Sequence, residues 1–399
     1  MLADALLLQL GYNATLVAFG ATALGLAAGA TGAFLFLRKR SLVSDAVSHA
    51  TLPGLALAFL IMVAFGGDGR SLLGLMAGSA VSAATGLWCV SALTRHTRVP
   101  EDAAIGAVLS VFFGFGVVLL TVIQSVPSGR QAGLEGFLLG STAGMLFTDA
   151  VIIALGGIVV LLAVAVLRRP LTIVAFDPGF GQTQGLRVAR LDMALMLLVM
   201  AVTVVGLKIV GLILIVAMLI IPAVTARFWT NRASVVVILA GLFGGLAGYV
   251  GAATSASAPD LPTGPIIVLT SFVFFALSMA FAPERGVLAA LMRHRRFERL
   301  VHLRQGLLAM AQGQHVYESR TRRLLRRQGF MRPDGVPTAT GKNEAARTLR
   351  DEARWQVVRA SVNLSDLAMR DDGLTPTEDV LTADQIAEID RRLGPPEAV

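Results

Sequence analysis

Between residues 13 and 282 the sequence returns again and again to predominantly apolar runs about 20 residues long, enough for a helix to cross a hydrocarbon layer. Lipid offers no water to the backbone, so each such run must satisfy its own N–H and C=O groups, and a helix does this within one segment. About nine spans are expected, near 13–37, 41–65, 71–94, 103–125, 147–167, 190–206, 209–227, 234–254 and 263–282. The sixth and seventh depend on one break. Leu191 to Phe228 is too long for a single helix, and Gly206-Leu207-Lys208 is where it can turn; without that turn the count is eight. The fold class is therefore all-α and polytopic. A composition 55% hydrophobic over 399 residues, with a mean hydropathy of +0.71, is far too apolar for a soluble domain of this length.

Other bounds follow from single features. Cys89 is the only cysteine and lies inside the third run, so no disulfide can form within the chain and packing is its expected role. The N-terminal MLADALLLQLGYNATL has no basic segment and no small-residue cleavage site before the first span, so a cleaved signal peptide is not expected. The net charge of +8 divides evenly between residues 1–292 and the remainder, which is no nucleic-acid signature. Placement of charge does set an orientation. Arg38, Lys39, Arg40, Arg95, Arg98, Arg168, Arg169, Arg187, Arg190, Arg227 and Arg232 fall on one side of the spans, against Arg70, Arg130 and Lys208 on the other. The positive-inside rule then puts the N-terminus outside and the C-terminus in the cytoplasm. On the outer side, Gln124 to Phe147 is too polar to span and reads as a short re-entrant or interfacial helix, with Glu135 either at a pore entrance or simply solvated.

Charge inside a span is where function is expected. Ser41 to Gly54, SLVSDAVSHATLPG, places Ser41, Asp45 and His49 at i, i+4 and i+8, on one face of a helix. A carboxylate and an imidazole aimed at one spot begin a site for a divalent metal. The plainer alternative pairs them with each other or with backbone. At 1.5 Å per residue Asp45 lies ~8 Å and His49 ~14 Å along the helix from Arg40, within the membrane. Pro53-Gly54 is expected to kink the helix just beyond.

Two further stretches have local readings. Glu101-Asp102 after Pro100 is ordinary helix-start chemistry. In the long inner loop, Asp177 before Pro178 reads as an N-cap with proline at N1, so a short helix starts there. Asp149, Asp192 and Asp260 sit at span edges and are given no role, and His96 reads as a solvated loop residue.

Taken in order, SLVSDAVSHATLPG, EDAAIG (Glu101 to Gly106), FDPGFGQTQGL (Phe176 to Leu186), VGLILIVAMLIIPAVTAR (Val210 to Arg227) and LPTGPIIVL (Leu261 to Leu269) resemble the permeases of bacterial zinc, manganese and iron ABC importers, over roughly Leu16 to Phe281. The resemblance implies a permease subunit in the bacterial inner membrane with no permanently bound cofactor, carrying manganese, zinc or iron. It implies Asp45 and His49 as metal ligands, Ser41 and Glu101 as accessory pathway candidates, and Phe176, Asp177, Gly185 and Leu186 as parts of a coupling loop that meets an ATPase. Gly179 and Gly181 depart from the family's pattern and loosen that helix. The implied partners are a cytoplasmic ATPase dimer, an extracytoplasmic metal-binding protein, a second permease subunit and membrane lipid. The chain has no GxxxxGK[ST] phosphate loop, so ATP hydrolysis belongs to another subunit and the permease is no enzyme.

From about Glu284 the composition turns soluble, dividing the chain into a membrane domain, 1–283, and a small, mostly helical cytoplasmic tail, 284–399. LLRRQGFMRPDGVPTATGKNEAARTLRDEARW resembles the winged-helix region of diphtheria-toxin-repressor-type metal regulators, and the stretch after Ala353 their dimerisation part. The tail's histidines, His294, His302 and His315, precede the best-matching region, so metal sensing is not expected of it. Arg320, Arg322, Arg323, Arg326 and Arg327 suit anionic lipid or an ATPase surface better than DNA; docking or stabilisation is the expected role. The rival readings are a proton-coupled secondary metal transporter, with Asp45 and His49 as the proton pair, and a membrane-tethered regulator. No internal repeat supports the first and no ligand set the second. Carboxylate plus imidazole accepts Mn, Fe and Zn alike; the lack of a thiolate, with the look of the tail, favours manganese.

Overall fold

A computed structural model describes residues 12–394 except 68, 70, 126–146, 208–209 and 259–260. Glu135, Arg70, Arg130, Lys208, Asp260 and most of the expected re-entrant segment lie outside the described residues. Described residues form no strand, only one isolated bridge between Met331 and Pro337. The chain divides into two compact units, Met1–Val287 and Leu288–Val399.

In the first unit the apolar helices are α1 (Tyr12–Leu37), α2 (Ser41–Ala64), α3 (Leu72–His96), α4 (Glu101–Ser125) and α5 (Phe147–Phe176). After a six-residue helix, α6 (Pro178–Thr183), come α7 (Val188–Gly206), α8 (Leu212–Trp229), α9 (Ala233–Ala256) and α10 (Thr263–Phe281). Eight of these, among the described residues, are long and apolar enough to cross a membrane; α8 is a shorter apolar helix. The chain is thus an all-helical, polytopic membrane protein. The break between α7 and α8 falls at Gly206–Leu212, where Gly211 takes φ 85°, a left-handed conformation that suits glycine. One boundary differs clearly from expectation: α5 does not stop near residue 167 but continues through Arg168, Arg169 and Pro170 to Phe176. The proline removes a single helical hydrogen bond, while burial of Leu171 and Val174 holds the last turns in place.

Helix α1 is the hub, packed against α9, α5, α8 and α7. In lipid, helices associate by close packing rather than by hydrophobic expulsion, which favours small residues at the seam. Gly25-x-x-x-Gly29 on α1 meets Gly244-x-x-x-Gly248 on α9 backbone to backbone. A Cβ at Gly25 would stand 2.1 Å from the Gly244 carbonyl oxygen, one at Gly29 2.0 Å from that of Ala240, and one at Gly248 2.2 Å from that of Ala21. None of these oxygens is on a side chain that can swing aside. Helix α2 packs on α3 and α4, and its crossing with α3 repeats the device: Cβ atoms at Gly54 and Gly78 would lie 2.1 and 2.5 Å from each other's carbonyl oxygens.

The second unit is built from α11 (Val287–Ala311), α12 (Ser319–Arg327), α13 (Ala339–Ala360), α14 (Ser365–Ala368) and α15 (Ala383–Leu393). Between α12 and α13 the chain pairs with itself through the Met331–Pro337 bridge. One small core gathers Leu307, Met310, Leu325, Met331 and Ala345, and another Trp355, Val358, Leu381 and Ile389. The second is tied by Arg354, whose Nε and Nη2 donate to the two oxygens of Asp390 at 2.9 and 2.7 Å. These hydrogen bonds hold the Asp390 carboxyl below the usual carboxylate range.

Two outcomes follow. Gly29→Val drives a side chain into the α9 backbone, and is expected to abolish accumulation of folded protein in the membrane, as read by detergent-extracted monodisperse yield; Gly106→Val, which meets open space, serves as the control. Asp390→Ala removes a charged hydrogen-bond acceptor and should destabilise the second unit by about 1–3 kcal/mol, seen as faster protease cleavage of that unit in the intact chain at pH 7. Because the folded pKa of Asp390 is depressed, its contribution is present above the unfolded value and is lost as pH falls through the folded one. Wild type should therefore approach the Asp390→Ala cleavage rate only in strong acid, below about pH 3.9.

Candidate metal centre

Helix α2 begins at Ser41, with Arg40 as the preceding residue and no side-chain cap. One turn in, the two ionisable side chains meet: His49 Nε2 lies 3.3 Å from Asp45 Oδ1. Asp45 is 40% exposed and His49 18%, so the pair opens towards the surface of this chain with the carboxylate outermost. The imidazole is steadied by Phe113 of α4, edge to face at a centroid distance of 4.9 Å and an interplanar angle of 83°. Its Nδ1 is buried and has no hydrogen-bond partner among the described residues. An unpartnered buried nitrogen is costly, and a structural histidine ordinarily avoids it. Pro53, four residues on, has no N–H, so the His49 carbonyl also lacks its helical partner. One stretch of α2 thus offers a carboxylate and an imidazole, oxygen and nitrogen donors that suit divalent first-row metals.

The pair is small. Among the described residues no three His, Cys, Asp or Glu side chains gather anywhere, and Asp45 and His49 stand here as a pair. Ser41 is half-buried at the mouth of the same face, where its carbonyl accepts a hydrogen bond from Ser44 Oγ at 2.6 Å. Glu101 opens α4 and makes its ion pair with Arg40, at 3.2 Å. Helix α2 runs on through Pro53 to Ala64, and Gly54 provides the close crossing with α3. Beside Pro53 and Gly54 an apolar cleft of about 730 Å³ opens between α2, α3 and α4, lined by Leu57, Met62, Val81 and Phe115. Such walls do not coordinate an ion.

Helix α6 has the capped form expected of it. Asp177 Oδ1 accepts from the Phe180 N–H at 2.9 Å, Pro178 takes N1, and Gly185 leaves the helix at φ 79°. The Leu186 N–H bonds back to the Gly181 carbonyl at 3.0 Å, closing the turn. Gly181 lies against Val174 of α5, whose Cγ2 is 3.2 Å from where a Cβ would stand. Phe176 and Phe180 are 66% and 52% exposed. The last residue of α5 and the middle of α6 thus expose two large aromatics, a residue type enriched at protein interfaces.

One cluster was not legible as functional. Asp192, at the start of the second turn of α7, accepts from Arg38 Nη2 at 2.6 and 2.7 Å and lies 3.3 Å from Arg40 Nη1. Its only signal in the sequence was an acid at a helix start on the side where arginines accumulate.

With this geometry in hand, similarity to known proteins is informative. Residues 12–282 match the ABC 3 transport family. The manganese transport system membrane protein MntC of Bacillus subtilis (strain 168) is 41% identical over 308 residues, 77% of this chain and 70% of MntC. The zinc transport system membrane protein TroC of Treponema pallidum (strain Nichols) is 40% identical over 285 residues, 71% of this chain and 94% of TroC. Among solved structures, PsaBC from Streptococcus pneumoniae in complex with Fab superposes with a TM-score of 0.62 at 31% identity, covering 71% of this chain and 98% of its own.

Proposed function

The chain belongs to the ABC 3 transport family, and from that premise we propose that Asp45 and His49 hold a divalent transition-metal ion in transit through the membrane. It is a membrane permease subunit of an ABC importer, a transport component and not an enzyme. The observation that carries the site is the 3.3 Å Asp45–His49 pair in a span with no other charged side chain, with His49 Nδ1 buried and unpartnered. Membrane-depth charge persists where it serves a substrate path. Two side-chain ligands bind a metal loosely, which suits a carrier that must release its ion. A second permease subunit, identical or similar, supplies the rest of the set across the pore.

Manganese is the favoured substrate. The donors are oxygen and nitrogen without thiolate, and MntC is named for manganese; TroC, named for zinc, keeps zinc as the competitor, with iron behind both. A cytoplasmic ATPase dimer receives α6 through Phe176 and Phe180, and an extracytoplasmic protein delivers the ion. The arginine-rich end of the bundle faces the cytoplasm, with the N-terminus outside and the second unit inside. That unit resembles a metal regulator without a matching ligand set, and we assign it docking or stabilisation against the ATPase or anionic lipid rather than sensing.

The test is metal accumulation by cells carrying the permease with its ATPase and binding protein, assayed for Mn, Zn and Fe in parallel. Asp45→Ala and His49→Ala are each expected to cut uptake of one metal by at least the roughly 10–100-fold that loss of even an outer partner of a ligand costs, with unchanged protein in the membrane. Uptake that survives both substitutions makes the pair structural.

A further inference from the structure

Four charged side chains from the end of α1 and the starts of α2, α4 and α7 form one cluster. Arg38 follows α1, Arg40 precedes α2, Glu101 opens α4 and Asp192 lies at the start of the second turn of α7. Arg38 Nη2 donates to both oxygens of Asp192, at 2.6 and 2.7 Å, while its Nη1 donates to the Val174 carbonyl at 2.8 Å, in the last turn of α5. Arg40 bridges Asp192 at 3.3 Å and Glu101 at 3.2 Å. Two positive and two negative charges balance. The Arg38 and Asp192 side chains are only 12% and 21% exposed, so solvent screens their pairing weakly. Between the two arginines, Lys39 holds φ 57°, an unusual backbone for a residue with a side chain.

We propose that Arg38, Asp192 and Arg40 are positioning residues for transport, passing displacement of α6 to the Asp45–His49 helix. This rests on the reading of α6 as the ATPase contact and of Asp45–His49 as the metal site. The connection is physical at each step. Gly181 of α6 packs on Val174; the carbonyl of Val174 is held by Arg38; Arg38 shares Asp192 with Arg40; and Arg40 stands five residues before Asp45. The two helices that flank α6, α5 before it and α7 after it, therefore converge on one guanidinium. A shift of one against the other is felt at the first turn of α2. Weakly screened charge pairs resist partial separation, because a half-parted arginine is neither paired nor hydrated. The cluster thus favours discrete arrangements over graded ones. Arg40 supplies the second arrangement, since it keeps Glu101 as a partner when Asp192 withdraws.

The experiment uses the complete transporter, permease with ATPase and binding protein, in liposomes, recording manganese uptake and ATP hydrolysis together. Arg40→Gln and Asp192→Asn are expected to leave assembly and ATP hydrolysis in place while lowering manganese carried per ATP by about 2- to 30-fold, the range for residues along a coupling network. Manganese binding by the detergent-solubilised complex should stay within about twofold of wild type, since no ligand is touched. If Asp192→Asn does not assemble, Arg38→Met/Asp192→Leu removes both charges at similar volume, an exchange that folds readily, and the same loss of coupling is expected. A brace without a transmitting role gives the opposite result: manganese per ATP unchanged in every variant that assembles, which would overturn the proposal. A wild-type complex that hydrolyses ATP and accumulates no metal would instead sink the transport reading, and this inference with it.

Discussion

Hydrocarbon gives no hydrogen bonds, and every polar group within this bundle has to be accounted for by the protein itself. That constraint makes the membrane unit helical, and it also makes its few interior charges conspicuous. Arg38 places its two terminal nitrogens on Asp192 and a carbonyl, while its Nε stays buried without a partner. His49 settles only half: one nitrogen on Asp45, the other buried and empty-handed. An imidazole left in that state beside a carboxylate of the same span is what supports the proposed metal site.

The packing that surrounds these groups depends on absent side chains. Gly25, Gly29 and Gly248 let α1 and α9 touch along their backbones, and Gly54 with Gly78 does the same for α2 and α3. Close crossings of this kind make rigid pairs of helices. The Arg38–Asp192–Arg40 cluster joins the end of α1 to the start of α2 and so links these two close-packed pairs. The α6 segment, capped by Asp177 and turned out at Gly185, lies directly in sequence between two of the helices that the cluster joins.

Much of this was legible beforehand, for identifiable reasons. Span positions follow from apolar run length, and even the uncertain break at Gly206 was marked by glycine and lysine. The Asp177–Pro178 cap was legible because capping is local chemistry within four residues. The end of α5 was missed, since Arg168-Arg169-Pro170 looks like a stop and only burial of Leu171 and Val174 overrides it. Asp192 was dismissed as a span-edge charge because its partners are 154 and 152 positions away, and no local pattern announces them.

Sequence alone determined that the chain is a helical membrane protein, which end gathers positive charge, and that Asp45 and His49 share a helix face. Each of these rests on periodicity or composition over a few turns, where the backbone geometry is known in advance. Tertiary structure decided the rest: that Phe113 holds the His49 ring, that Glu101 is engaged by Arg40, and that five helices meet around Arg38 and Asp192. Those contacts join residues far apart in the chain, and their distances exist only once the helices have packed.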